Sequence, residues 1–197
     1  MLSCSWWAKH AINREAAARS GLALPGAQGE LVKAVAATGT PCVVVLVGGR
    51  PLTIGSWASQ VQSIVMAWHP GGEAGRALAD VLTGAVAPGG KLPVTFPCSV
   101  GVEGRPIFPF GHGLSCTTFE LSEPRLSRQQ VAITELEGGE TVVDTVCVRN
   151  VGERQGDEVV LLSVRDAVAS IAQPVRGLRG LHRVRLAAGE QREVPSL

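Results

Sequence analysis

The segment that most restricts the fold is Cys42–Val47, an uninterrupted apolar run, mostly valine, that is closed by two glycines. Such a run predicts a strand buried on both faces of a parallel sheet, because a strand with one face in water alternates apolar and polar residues. A strand of this kind needs helices above and below it. The sequence supplies one before the run, where three apolar residues have helical spacing: Leu31, Val32 and Val35.

The same order of elements then repeats. A second apolar run, Ser63–Trp68, ends in a Pro-Gly-Gly turn, and Glu73–Leu82 has helical spacing. Alternation of strand, glycine turn and helix predicts an open α/β layered sheet, with ligand-facing loops at the carboxyl ends of its strands. We expect Trp57 and Trp68 to be buried in this layer.

After Phe119 the pattern changes to short β-rich runs separated by turn signals. The predicted strands lie at Thr141–Arg149, Glu158–Arg165 and His182–Leu186. Regularly spaced short strands indicate an all-β immunoglobulin or fibronectin III-like sandwich. The sequence therefore predicts two domains, with the boundary near residue 120.

Composition excludes several classes of function. Eighteen basic and seventeen acidic residues give a net charge of +1, without the basic stripe that nucleic acid requires. Apolar runs fall far short of the roughly 20 residues of a membrane-spanning helix, and residues 1–13 lack the features of a signal peptide. We therefore expect no nucleic acid partner and no membrane partner, and the sequence leaves localisation open.

Cysteines and histidines do not have the spacing of a metal site. The five cysteines form no C-x-x-C pair, and the four histidines form no i, i+4 pair, so no metal and no cofactor is expected. We expect the cysteines to be free thiols at buried positions. Gly48-Gly49-Arg50-Pro51 matches no phosphate-binding loop, and no G-x-S-x-G elbow occurs, which leaves carboxylates as the plausible chemistry.

Several blocks, taken in order, resemble the second domain of family 3 glycoside hydrolases, the β-glucosidase and β-xylosidase type. The blocks lie at 15–19, 24–28, 43–52, 67–75, 79–82 and 88–97, and 108–119 resembles the segment that leads into the family's fibronectin-like domain. Blocks at 150–152, 156–160, 174–180 and 186–190 are similar to that domain. The predicted organisation is an unassigned segment (1–13), a partial C-terminal α/β domain (14–119) and an incomplete fibronectin III-like domain (120–197).

The resemblance implies a retaining β-glycosidase that uses two carboxyl groups about 5 Å apart. In the family an aspartate on an N-terminal TIM barrel is the nucleophile, and a glutamate of the second domain is the acid/base. Glu15 occupies the acid/base position, although by its residue type alone it is an ordinary solvated glutamate near a helix start. Arg19 either orders that loop or is a solvated arginine, and we expect Glu73 to cap the following helix.

No barrel pattern precedes Glu15, so we expect the nucleophile to be missing and this chain alone to be inactive. We also expect both domains to be truncated, the fibronectin-like one before its last strands. The partners implied for a full-length parent are a β-linked oligosaccharide or glycoside and a TIM-barrel domain. Relatives are often secreted or periplasmic. Two alternatives to a glycosidase piece stay open, namely an inactive carbohydrate-binding module and a structural interaction fragment. The sequence does not indicate which β-linked sugar the parent hydrolyses.

Overall fold

A computed structural model describes residues 21–99, 106–168 and 171–196. Within these ranges the chain divides into two compact units. The α/β unit comprises residues 21–79 and 92–112, and the β-sandwich unit comprises residues 80–91 and 113–196. The predicted fold class, an open α/β layer followed by a fibronectin III-like sandwich, is confirmed in these two units. The predicted boundary near residue 120 stays a prediction.

Two strands and the helices around them form the α/β unit. Helix α1 spans Gln28–Ala36, strand β1 spans Val43–Val47, and strand β2 spans Ser63–Trp68. A 3₁₀ turn at Ala58–Gln60 separates the strands, and helix α2 spans Ala74–Leu82 and continues into the other unit. β1 and β2 pair in parallel, as the two apolar runs predict.

The core of this unit surrounds Trp57, which is only 1% exposed. Leu46, Ile54 and Phe96 complete the buried cluster. Trp57 is buried as predicted, whereas Trp68 is half-buried. The prediction that the first strand is buried on both faces is wrong for the described chain. Within β1 only Leu46 is buried, because the residues at both ends of this short strand lie outside the cluster.

Six strands and one short helix form the β-sandwich unit. The strands are β3 (Phe119–Leu121), β4 (Arg125–Leu126), β5 (Asp144–Asn150), β6 (Gly156–Val164), β7 (Gly177–Leu186) and β8 (Gln191–Ser196), and helix α3 spans Ile133–Glu137. β5 pairs antiparallel with β3, β4 and β8, and β6 pairs antiparallel with β7. The three predicted strands are present as β5, β6 and β7, whereas β3, β4, α3 and β8 were not predicted.

Alternation along β5 builds the core of the sandwich. Every second residue from Asp144 to Asn150 is buried, and the core cluster contains Val146 and Val148. The other members of the cluster come from three strands: Val160, Val184, Leu186 and Val194. This period of two is the pattern expected for a strand with one face on a core.

The four described cysteines are free thiols, as predicted. Their predicted burial is wrong, because Cys98 and Cys116 are exposed and Cys42 and Cys147 are half-buried. Cys98 and Cys116 lie in irregular segments and Cys42 just before a strand, where the chain runs along the surface. Cys147 lies on the outward face of β5, so strand alternation rather than residue type determines its exposure.

Candidate active-site edge of the parallel strands

The carboxyl ends of β1 and β2 meet in an irregular junction. Leu46 pairs with Met66 and Val47 pairs with Trp68, so the register shifts by one residue of β2. The amide of Gly48 donates to the carbonyl oxygen of Trp68 at 3.0 Å. Ligands of open parallel sheets bind outside the carboxyl ends of the strands, so this edge is the candidate site.

Trp68 adopts a left-handed backbone conformation, with φ of 52°. A bulky residue rarely occupies this region, and the strain is on the order of 1–3 kcal/mol. Packing of the indole helps to offset it, because the ring meets the buried ring of Phe96 edge to face, with centroids 6.3 Å apart. The register shift in β2 and the left-handed conformation of Trp68 together direct the chain after β2 toward the loop after β1.

The imidazole of His69 lies against Gly49 at this edge. A Cβ atom at position 49 would lie 2.7 Å from Nε2 of His69, which is closer than real Cβ contacts. Glycine is therefore required here for the close approach of the ring, unless the exposed imidazole moves away. The imidazole of His69 thus lies beside the loop that follows β1.

A short segment preceding α1 is fixed to the same edge. Arg50 donates from Nη2 to the carbonyl oxygen of Gly21 at 3.1 Å, and the amide of Thr53 donates to the carbonyl oxygen of Leu22 at 2.9 Å. Ala23 and Thr53 also form a parallel bridge. These contacts hold residues 21–23 beside the loop that follows β1.

Of the residues singled out from the sequence, Glu15 and Arg19 lie outside the described residues. Glu73 marks the start of α2, because its carbonyl oxygen accepts a hydrogen bond from the amide of Ala77 at 3.0 Å. Its carboxylate is exposed, at the end of the helix where the dipole favours negative charge. Capping by the Glu73 side chain stays a prediction.

Arg50, Trp68 and His69 were not assigned roles at the edge from the sequence. Arg50 follows a Gly-Gly pair at the end of a predicted strand, which is a signal that could have identified it. The positive φ of Trp68 has no counterpart in residue type, since tryptophan strongly avoids this conformation. This conformation is seen only in the three-dimensional structure.

Among the described residues, the carboxyl groups with a lowered pKa lie in the β-sandwich unit, away from this edge in sequence. A hydrogen bond from Arg185 lowers the pKa of the Asp157 carboxyl, burial opposes this effect, and Arg183 adds to it. The pKa of Glu190 is lowered by the amide of Ala187 and then by Arg192. These carboxylates are engaged in ion pairs or hydrogen bonds that stabilise the strands.

The described residues contain no group of three or more histidines, cysteines and carboxylates arranged to hold a metal ion. Among the helices in the described ranges, none has the length and apolarity needed to cross a membrane.

Comparison with known proteins identifies the family of the chain. The model of the glycosyl hydrolase family 3 C-terminal domain matches residues 5–116, more than half of the sequence. The chain belongs to glycosyl hydrolase family 3. The model of the fibronectin type III-like domain matches residues 158–196, within the β-sandwich unit. The resemblance drawn from the sequence blocks is therefore confirmed.

Similar proteins are much longer than this family 3 chain. A β-xylosidase of Formosa agariphila is 39% identical, over 94% of this chain and 28% of its own length. A periplasmic β-glucosidase of Salmonella typhimurium is 36% identical, over 91% of this chain and 27% of its own length. The chain spans about a quarter of the length of these relatives.

Solved β-glucosidases share its fold. The β-glucosidase from Listeria innocua in complex with glucose has a TM-score of 0.84 and 31% identity, covering 93% of this chain and 29% of the other. DesR, a β-glucosidase from Streptomyces venezuelae, has a TM-score of 0.79 and 32% identity, covering 90% and 26%. The family 3 chain therefore corresponds to the C-terminal part of such enzymes.

Proposed function

We propose that this chain is the acid/base half of a retaining β-glycosidase, and that Glu15 is the acid/base. The substrate is a terminal β-linked sugar, of the glucoside or xyloside class that the names of its relatives indicate. The nucleophile is an aspartate of a TIM-barrel partner. Without that partner the chain is inactive, because double displacement needs two carboxyl groups about 5 Å apart.

In this mechanism Glu15 acts twice. As an acid it protonates the glycosidic oxygen while the barrel aspartate attacks the anomeric carbon, and as a base it then removes a proton from the water that hydrolyses the glycosyl-enzyme intermediate. A proton donor working near neutral pH needs its pKa raised by burial or by a neighbouring charge. We propose that docking of the barrel provides that environment.

The observation that carries the proposal is the anchoring of residues 21–23 at the carboxyl edge of the parallel strands. The Arg50 guanidinium and the Thr53 amide hold this segment by hydrogen bonds to its backbone carbonyl oxygens. Glu15 is six residues upstream of Gly21, so the covalent chain keeps it within about 22 Å of the anchor. A residue at position 15 can therefore reach the edge where ligands of open sheets bind, and this supports the proposal.

The test is hydrolysis of aryl β-glucosides and β-xylosides by this chain mixed with a separately expressed family 3 barrel. We expect activity only in the mixture. Glu15→Gln should abolish it for a substrate with a poor leaving group, such as a methylphenyl glycoside. A dinitrophenyl glycoside should still form the glycosyl-enzyme intermediate with this variant, because its leaving group needs little protonation.

The matched control is Glu30→Gln, which changes an exposed glutamate paired with Lys33 on α1 and should leave the rate unchanged. Equal loss for good and poor leaving groups in Glu15→Gln would contradict a proton-transfer role. Hydrolysis by the chain alone would contradict the need for a partner. If the two parts demonstrably associate but remain inactive, the structural-fragment alternative is favoured.

A further inference from the structure

A groove crosses the outward face of β5 in the β-sandwich unit. β4 borders it on one side and β8 on the other, because both strands pair with β5. Its volume is about 330 Å³, within the range of about 300–1,000 Å³ for sites that hold small molecules. All of its lining residues are exposed or half-buried, so a ligand enters directly from solvent. Six residues line it: Arg125, Leu126, Ser127, Val143, Thr145 and Glu193.

Two charged side chains stand on either side of this groove. Arg125 on β4 pairs with Thr145 of β5. Glu193 on β8 pairs with Cys147, two residues further along β5. Residues two apart on a strand share a face, so Arg125 and Glu193 lie on the same face of the sheet, and strand spacing places their backbones about 12 Å apart. A ligand that contacts both therefore has to span the width of β5.

The two charged groups are not engaged elsewhere in the part of the chain that the structure describes. Within it, neither Arg125 nor Glu193 forms an ion pair or a side-chain hydrogen bond. A guanidinium only donates and a carboxylate only accepts, so the ligand has to accept on one side and donate on the other. A ligand with a net charge would be attracted by one group and repelled by the other. The pair therefore favours a neutral ligand with several hydroxyl groups, since each hydroxyl both accepts and donates.

Two hydrogen bonds fix the wall of the groove beside Arg125. The amide of Ser127 donates to the carbonyl oxygen of Val143 at 2.8 Å, and the Ser127 hydroxyl accepts from the amide of Val143 at 3.0 Å. The hydroxyl hydrogen can still donate to a ligand, because these bonds use only the oxygen. The half-buried Val143 side chain and the methyl group of Thr145 add an apolar surface. The groove thus combines fixed polar groups with an apolar patch, as small-molecule sites do.

We propose that this groove binds a neutral pyranoside, in addition to the candidate site of the α/β unit. A sugar ring has hydroxyl groups around its rim and an apolar C–H face, which match the charged edges and the apolar patch of the groove. Arg125 donates to hydroxyl oxygens at one end of the ring, and Glu193 accepts from hydroxyls at the other end. The inference does not depend on Glu15 or on a barrel partner, since every lining residue belongs to the β-sandwich unit.

The experiment is a titration of the full, ¹⁵N-labelled chain with methyl β-glucoside and methyl β-xyloside, followed by NMR. The amide signals of Ser127, Thr145 and Glu193 should shift and saturate, with a dissociation constant on the order of 1–10 mM because an open groove leaves much of the ligand in water. Arg125→Ala and Glu193→Gln should each weaken binding about 10-fold, since each removes a charge-assisted hydrogen bond. Arg149→Ala is the matched control, because this exposed arginine lies on the same face of β5 outside the groove.

Tetrahydropyran-2-methanol has the same ring with a single hydroxyl group and should cause no saturable shift. Cellobiose and xylobiose test the source of the sugar: tighter binding than the methyl glycosides indicates the end of a chain, and equal binding indicates a single sugar. The amide spectrum itself establishes that each variant is folded. Absence of saturable shifts at the groove, equal binding of tetrahydropyran-2-methanol, or unchanged affinity in both Arg125→Ala and Glu193→Gln would overturn the sugar site. Because no hydrolysis is measured, each of these results leaves the role proposed for Glu15 untouched.

Discussion

Asn150 is the polar centre of the β-sandwich unit, and its removal is the sharpest test of how this unit is held together. The side chain is fully buried. Its Oδ1 accepts hydrogen bonds from the Thr117 hydroxyl at 2.7 Å and the Gly152 amide at 3.1 Å. Its Nδ2 donates to the carbonyl oxygens of Arg154 at 2.7 Å and Leu186 at 3.1 Å. One side chain thus joins the segment before β3, the turn after β5 and the end of β7.

Asn150→Ala should lower the free energy of unfolding by about 3–4 kcal/mol, since four hydrogen bonds at about 1 kcal/mol each are lost and buried partners are left unsatisfied. Thr117→Val is the matched control, because it removes one of the four bonds and should cost about 1 kcal/mol. Every tryptophan lies before residue 69, so fluorescence does not report on this unit. Urea unfolding by circular dichroism, with hydrogen exchange of β5 and β7, measures the change.

Asn150→Asp separates the acceptor role from the donor role. The carboxylate keeps two acceptor contacts but faces the carbonyl oxygens of Arg154 and Leu186, so burial should raise its pKa in the folded state. Stability should then increase as pH falls through that raised pKa, because the folded state binds the extra proton. A loss under about 1 kcal/mol for the alanine variant, or no pH dependence for the aspartate variant, would refute the central role of Asn150.

Three further predictions concern named contacts. Arg185 lowers the pKa of Asp157 below its ordinary value of 3.8. The ionised carboxylate therefore contributes to the free energy of unfolding above pH 3.8, and this contribution is lost as the pH falls through the lowered pKa of the folded state. Asp157→Asn should therefore cost about 1–2 kcal/mol at neutral pH and flatten acid unfolding. Gly89→Ala should destabilise by about 1–3 kcal/mol in thermal unfolding, since its Cβ would lie 2.9 Å from the carbonyl oxygen of Asp157, whereas Gly90→Ala meets open space and should be neutral. Trp57→Ala should cost about 3–5 kcal/mol by urea unfolding followed by circular dichroism, and Trp57→Phe less.

The strands and helices of the α/β unit follow largely from local pattern. The apolar runs 42–47 and 63–68 predict β1 and β2, and helical spacing predicts α1 and α2. The missed elements, all in the β-sandwich unit, are short or weakly patterned, and β3 and β4 have only three and two residues. Helix α3 is a single turn of five residues, and β8 contains charged residues and a proline that strand propensity disfavours. Their positions depend on neighbours that are distant in sequence.

The candidate site also has one part that the sequence predicts and another part that only the structure shows. Ordered blocks of residues identify family 3 and, through the resemblance, propose Glu15, because family signatures combine residue type with spacing. The anchor by Arg50, the positive φ of Trp68 and the contact of His69 with Gly49 depend on the register of two strands. No local pattern encodes a one-residue register shift, since it arises from packing between segments.

Residue type and periodicity along the chain are enough to predict the order of the two domains and the family, because both leave a pattern that is local in sequence. The tertiary structure alone determines which apolar residues are covered. Leu181 and Val184 are both apolar residues of β7 and lie on opposite faces of the strand, and one is 67% exposed whereas the other is 2% exposed. Burial depends on what lies opposite a side chain in space, and that neighbour is supplied by residues distant in sequence.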